Sequence, residues 1–496
     1  MNLIQSNAVK VKKIDLILFS LLLILLFLFW WPTRNLPFWW DSAGVVAIGS
    51  KILIRNNFKL IELGIPGNYP HTILFVQIHA LLWKVFGTSI LVSHLLMLFF
   101  GALTLLYMYL LGKLLFKNKP AAGFIGFFSG VLLLFTPVFY AQLGIIYTEI
   151  PIAAFALMSV YYLLQGKIIK FTLTNLLLVF TKDTAIFIVV IEWLYVIARE
   201  IISAISVDKP FRHKAVAKKS FPFLLVIFLL FLFFLVHKLT TGWWYIPPGY
   251  PQSAISRAIF PENIWNVFRF MFIDQWRIIP TILLLLFLEE GVVRRQFQKE
   301  VLRPDVVLIF ILPLLTAVFF GLTEFLQRYI VIALPLYYVL FMYLFVVFLQ
   351  KRSFVTHVLF LTIVTGIICG FFYTQWNLHR QITTFYFTPL EDNLEYRDVI
   401  AVGEVLSDFL QKHYPEAKIL TSFPANYMIE QPFQGYVKKP LRAKDCDKIK
   451  VGDKFDFVIF HPYSPASIAC YKLIQLQKLH PYRNFERNGK FMSIYR

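Results

Sequence analysis

The chain has 496 residues, of which 58% are hydrophobic, 18% aromatic and only 15% charged, with 53 phenylalanines and a formal net charge of +20. Too little polar surface is available to cover a soluble protein of this size, so the composition excludes a water-soluble enzyme and points to a polytopic membrane protein. The positive charge is dispersed between apolar stretches, which excludes a nucleic-acid-binding surface and fits topology signals and contacts with anionic lipid head groups.

The first apolar run, roughly Ile14 to Trp31, is long enough to cross a bilayer. Lys10, Lys12 and Lys13 precede it, which predicts a cytoplasmic N-terminus. Trp31-Pro32-Thr33-Arg34 follows in place of a small-residue cleavage site, so the run reads as an uncleaved anchor. A long loop, residues 32–88, then lies outside and carries Trp39-Trp40-Asp41-Ser42. Further runs are expected at about Ser89–Leu111, Ala121–Phe135 (ending at Thr136-Pro137) and Pro151–Leu164. Two short runs follow, about Phe171–Phe180 and Thr184–Ile197, broken at Thr181-Lys182-Asp183; a single unbroken helix is the alternative. The basic segment Arg199–Ser220 marks the cytoplasmic side. Spans from Phe221, before Arg294, from Val306, before Lys351 and up to Phe372 bring the total to about eleven transmembrane helices.

After Trp376 the apolar runs shorten. Glu391–His413 has helical apolar spacing, Lys418–Phe423 and Phe455–Phe460 read as strands, Ser467–Leu479 as a helix, and Asn488-Gly489 as a hairpin turn. This predicts a membrane part, residues 1–375, and a C-terminal extracytoplasmic α/β domain, residues 376–496. Cys446 and Cys470 are expected as free thiols, a disulfide being the alternative. No Cys/His cluster has zinc spacing.

The predicted topology collects Asp41, His71, Glu149, Lys182, Asp183, Glu324, Arg328 and Tyr329 on the external face. Six of these eight have an ordinary structural explanation beside a functional one. Asp41 could cap a helix beginning at Ser42, and Glu149 could complement a helix dipole. His71 could be an interfacial histidine, Lys182 and Arg328 could reach lipid phosphates, and Tyr329 could belong to an aromatic belt. Functionally, Arg and Lys grip phosphate, and a carboxylate serves as a general base.

Asp41, Gly67-Asn68-Tyr69-Pro70-His71, Phe86-Gly87, Tyr147-Thr148-Glu149-Ile150-Pro151, Thr181-Lys182-Asp183 and Arg328-Tyr329-Ile330-Val331-Ile332-Ala333-Leu334-Pro335, taken in order, resemble the GT-C membrane glycosyltransferases. The resemblance is nearest to the branch of protein O-mannosyltransferases and lipid A aminoarabinose transferases. The chain departs from that pattern at Ser42, where the family often has a second acid, at Glu149, where it commonly has Asp, and in a degenerate proline-rich segment. The resemblance implies a GT-C-like fold and an integral membrane glycosyltransferase using a polyprenyl-phosphate sugar, hexosyl or pentosyl. The sugar would pass, with inversion, to an extracytoplasmic acceptor: lipid A, a glycolipid, a cell-wall polymer or a protein. It implies Asp41 and Glu149 as catalytic acids, Lys182 and Arg328 as the grip on the donor phosphate, and His71, Tyr69, Asp183 and Tyr329 as substrate contacts. No cofactor is required, although two converging acids would accommodate a divalent metal. A bacterial inner membrane is the expected location. The alternative function is a transporter or flippase of lipid-linked saccharides, which would place charges and broken helices at the midplane.

Overall fold

The computed structural model describes residues 12–59, 61, 71–116, 122–206, 213–244, 260–293, 298–323, 326–350, 353–377, 390–450 and 453–496. The chain runs through helices α1 (Lys13–Trp30), α2 (Ile48–Arg55), α3 (Leu74–Phe86), α4 (Ile90–Leu115), α5 (Ala122–Phe135), α6 (Pro137–Leu143) and α7 (Glu149–Leu164). It continues with α8 (Ile168–Thr181), α9 (Ile186–Ser206), α10 (His213–Thr241), α11 (Phe260–Phe272), α12 (Ile278–Leu288), α13 (Gln298–Val301), α14 (Pro304–Leu322), α15 (Leu334–Leu349) and α16 (Phe354–Asn377). Every expected apolar span coincides with one of these helices. Lys13–Thr33, Ile90–Leu115, Val216–Thr241 and Pro304–Leu322 are long and apolar enough to cross a membrane by themselves. The α5–α6 pair would be a fifth such span, bent by 77° at Thr136-Pro137. The bend lies where Pro137 cannot donate a backbone hydrogen bond into the preceding turn.

The helices pack through small residues. A Cβ on Gly126 would stand 2.6 Å from Tyr109 Cα, and one on Gly112 would stand 2.7 Å from Gly126 N, so α4 and α5 meet backbone to backbone. At one end of this pair Lys113 is buried against Asp15 of α1, which also accepts a hydrogen bond from Tyr109 Oη at 2.8 Å. Lys113 is thus half of a buried ion pair. The break at Lys182 is real: α8 ends at Thr181, and a short 3-10 turn, Asp183–Ala185, leads into α9.

Beyond α16 the chain adds α17 (Tyr396–His413), β1 (Lys418–Thr421), α18 (Ala425–Glu430), β2 (Arg442–Asp445), β3 (Phe457–Phe460), α19 (Ser467–Leu476), β4 (Pro481–Arg487) and β5 (Lys490–Tyr495). The five strands form one sheet in the order β2-β1-β3-β5-β4. β1 is parallel to β2 and β3, while β5 is antiparallel to β3 and β4. Asn488 and Gly489, both at positive φ, make the predicted hairpin turn. Contrary to the free thiols expected from spacing, Cys446 and Cys470 form a disulfide, because the turn after β2 lies beside α19 with Cα atoms 5.2 Å apart.

This C-terminal layer packs directly on the loop after α1. Phe423 lies edge-on to Trp40, with ring centroids 5.2 Å apart, and Tyr463 lies edge-on to Trp39. Gln434 donates to Ala43 O at 3.0 Å, and its own carbonyl accepts from Phe38 N at 3.0 Å. The docking is aromatic and hydrogen-bonded, which fixes the loop that carries Asp41.

Candidate active site

Asp41 follows Trp40, which is held at φ 54°. For a bulky residue that left-handed backbone costs on the order of 1–3 kcal/mol and persists only where packing imposes it; here Trp39, Tyr463 and Phe423 supply that packing. Ser42–Ala47 then forms a π-helical turn leading into α2, and the Asp41 carboxylate makes no cap hydrogen bond to it. The side chain instead reaches across the fold to Arg328, with Oδ2 2.6 Å from Nη2. Tyr147 supports the backbone, its hydroxyl accepting from Asp41 N at 3.2 Å.

Arg328 sits in the 3-10 turn Gln327–Ile332 between α14 and α15 and is buried. Each of its donor nitrogens faces a different carboxylate. Nη2 meets Asp41, Nε meets Glu149 Oε1 at 3.3 Å, and Nη1 meets Glu391 Oε2 at 2.5 Å. The guanidinium lies over the Tyr147 ring, 4.4 Å from its centroid. Glu149, the first residue of α7, is also 3.5 Å from Lys182 Nζ. Lys182 in turn lies over the Tyr329 ring at 4.4 Å. Tyr329 is stacked on Phe320 of α14. Burial works against the charge of Arg328, but Glu391, Asp41 and Glu149 together hold it protonated well above its usual range. Lys182 behaves alike, with burial outweighed by Tyr329 and Glu149.

Four of the residues expected to converge, Asp41, Glu149, Lys182 and Arg328, therefore form one cluster, and Tyr329 is its floor. His71 and Asp183 form a second pair, Nδ1 to Oδ1 at 2.7 Å. Burial raises the Asp183 carboxyl, but His71 outweighs it and holds the group below the usual carboxylate range. Asp183 is joined to the main cluster through the chain at Lys182. Tyr69 and Glu324 lie outside the described residues. Among the described residues no three His, Cys, Asp or Glu side chains are grouped as a metal site.

Sequence reasoning missed Glu391. It enters from the segment before α17, fully buried, and follows Leu390 at φ 58°, a second strained backbone next to a site carboxylate. Its Oε1 accepts from Tyr147 Oη, and its backbone carbonyl accepts from Gln142 Nε2 at 2.9 Å. Burial pushes its carboxyl up to about 7, with Arg328 pulling the other way and Asp41 adding to the rise. The run of buried polar residues Glu391, Asp392, Asn393 and Glu395 was the available signal. In sequence it looks like a solvated helix lead-in.

Neither a protein-family model nor a curated protein sequence matches the chain. Solved structures do match. ArnT from Cupriavidus metallidurans bound to undecaprenyl phosphate is 13% identical with a TM-score of 0.57, the match covering 96% of this chain and 97% of that one. The apo state of the same protein gives 12% identity and a TM-score of 0.56 over the same shares, 96% and 97%. The apo oligosaccharyltransferase of Archaeoglobus fulgidus gives 10% identity and a TM-score of 0.52, covering 97% of this chain and 74% of that one. The chain is an integral membrane protein with the fold of the GT-C glycosyltransferases.

Proposed function

We propose that the protein transfers a sugar from a polyprenyl-phosphate donor to an acceptor on the extracytoplasmic side of the membrane, inverting the anomeric centre. The observation that carries this reading is the meeting of Asp41, Glu149, Lys182 and Arg328 from four distant segments at one point. Two cations beside a half-exposed carboxylate suit a reaction in which a phosphate leaves and a hydroxyl is deprotonated. The acceptor oxygen attacks the anomeric carbon, and its proton passes to Asp41. The bond from that carbon to the phosphate oxygen breaks, and the lipid phosphate departs with the electron pair. Lys182 and Arg328 stabilise its growing charge. Asp41 is the accessible base, with its side chain 35% exposed against 2% for Glu149. Glu149 instead holds Lys182 and Arg328 in place. His71, steadied by Asp183, is a substrate contact at the edge of the site. The basic loops between spans support a cytoplasmic N-terminus and this site on the outer face, as in a bacterial inner membrane. No cofactor takes part in the scheme.

The transporter reading gains from one feature. Glu192 of α9 is fully buried inside the helical bundle, where it accepts from Ser159 Oγ at 2.8 Å and from Asn175 Nδ2 at 3.3 Å. Such a group is a default candidate for a pathway, but two neutral donors also satisfy it as a structural acid. The purified protein, given a panel of polyprenyl-phosphate sugars and membrane-extract acceptors, distinguishes the two. Glycosylated product with an equal release of polyprenyl phosphate is expected. Movement of intact donor across a vesicle membrane without release would favour the transporter.

A further inference from the structure

The cluster carries three carboxylates, Asp41, Glu149 and Glu391, against two cations, Arg328 and Lys182, leaving one excess negative charge. All three guanidinium nitrogens of Arg328 are already engaged. A donor phosphate therefore meets a site that is both negative and fully paired, and a buried site cannot accept a further anion without compensation. The cheapest compensation is a proton on one carboxylate. Glu149 is paired with both cations, and Asp41 is open enough to be hydrated. Glu391 has one cation, Arg328, and its side chain is 4% exposed. It is the carboxylate whose charge is least compensated by cations or by water.

We propose that Glu391 is a positioning residue that takes up a proton when the lipid phosphate binds, loosening its hold on Arg328 so that the freed nitrogen can grip the phosphate. Protonation removes the ion-pair attraction between Glu391 and Arg328 and leaves a hydrogen bond from a charged donor to a neutral acid, so it weakens the Glu391 arm without removing it. The charged and titratable groups facing Glu391 come from four elements: Arg328 from the turn before α15, Asp41 from the loop before α2, Tyr147 from the turn before α7, and Tyr396 from α17. Glu149 shares Arg328 with Glu391, and Lys182 is paired with Glu149. Arg328 stabilises the ionised form, whereas Asp41 and the burial oppose it, and the balance already lies near neutral pH. The Tyr147 hydroxyl stays with Glu391 in either form, as donor to the carboxylate or as acceptor from the acid. Glu391 also links the site to the C-terminal layer, since it leads directly into α17.

This inference rests on the donor-phosphate reading of Arg328 and is tested by binding alone. Farnesyl methyl phosphate is a suitable probe, being a phosphodiester with no ionisation near neutrality. Its binding to the full-length protein in detergent is measured by calorimetry across about pH 6–9, in buffers of different ionisation heat. Uptake of close to one proton is expected near pH 7.5, with affinity falling up to about tenfold per pH unit above neutrality. In Glu391→Gln the uptake should vanish and the affinity should become flat with pH. Binding by wild type that is independent of pH, or proton uptake that persists in Glu391→Gln, overturns the proposal and leaves the glycosyltransferase reading intact. Absence of binding at every pH overturns both. If the variant fails to fold, a wild-type profile without proton uptake still overturns the proposal.

Discussion

Replacing Arg328 by Gln removes the hub of the site and leaves Asp41, Glu149 and Glu391 facing one another with Lys182 as the remaining cation. Breaking a buried ion pair by deleting one partner costs about 3–5 kcal/mol, since the surviving charge stays buried. The Asp41 arm contributes little of this, because its side chain is 35% exposed and water screens it; the Glu149 and Glu391 arms contribute most. The loss has a definite pH dependence. The Glu391 carboxyl is raised to about 7 in the fold from an ordinary 4.5, so the folded protein binds a proton that the unfolded chain releases. Protonation at Glu391 therefore adds stability as pH falls from about 7 towards 4.5. Without Arg328, Glu391 holds its proton more tightly still. The variant's deficit should be largest at about pH 8 and shrink towards pH 5. The double variant Arg328→Gln/Glu391→Gln removes one stranded charge and should recover about 1–3 kcal/mol. Thermal unfolding of the full-length protein in detergent, followed by tryptophan fluorescence, reads all three comparisons. An Arg328→Gln protein as stable as wild type at pH 8, or a double variant less stable than the single, would refute the reasoning.

Other perturbations test the packing around the site. Gly126→Ala pushes a Cβ to within 2.6 Å of Tyr109 Cα and should destabilise by about 1–3 kcal/mol. Gly366→Ala meets nothing within 4 Å and should melt at or above the wild-type temperature; equal behaviour of the two would contradict the α4–α5 contact. Gly44→Val drives a side chain into Phe423, whose ring stands 2.6 Å from where the new Cβ would lie, at the seam between the Asp41 loop and the C-terminal layer. Transfer should fall by roughly tenfold to a hundredfold, well beyond what its melting shift implies, because a displacement of about 1 Å is costly in catalysis. Cys446→Ser opens a link spanning 24 positions and should cost the C-terminal layer about 3 kcal/mol, seen as faster proteolysis of that layer alone. Unchanged digestion would remove the disulfide as a stabiliser.

Charges that interrupt apolar runs stand out in a sequence, and for that reason Asp41, Glu149, Lys182 and Arg328 were legible as site candidates. The helix break at Lys182 was legible for the same reason, since a lysine and an aspartate cannot both face lipid. Glu391 was not, because an acid in a polar stretch reads as solvated, and only the fold carries that stretch beneath Arg328. β2 was also missed: three of the four residues in Arg442–Asp445 are charged, on a half-exposed edge strand with no apolar stripe. The Cys446–Cys470 bond depends on where β2 and α19 meet, which spacing does not encode. Asp41 shows that two plausible roles can be separated by geometry, since its carboxylate leaves the helix start uncapped and turns to Arg328.

The most direct test of the account is the rate of sugar transfer by wild type and by Asp41→Asn, purified at equal yield and with equal melting temperature, from the donor the wild type uses. Loss of a positioned general base should lower the rate by about a hundredfold to ten-thousandfold, with donor binding largely retained. A wild-type rate in the Asp41→Asn protein would contradict the central claim that this carboxylate, held by Arg328, receives the acceptor's proton.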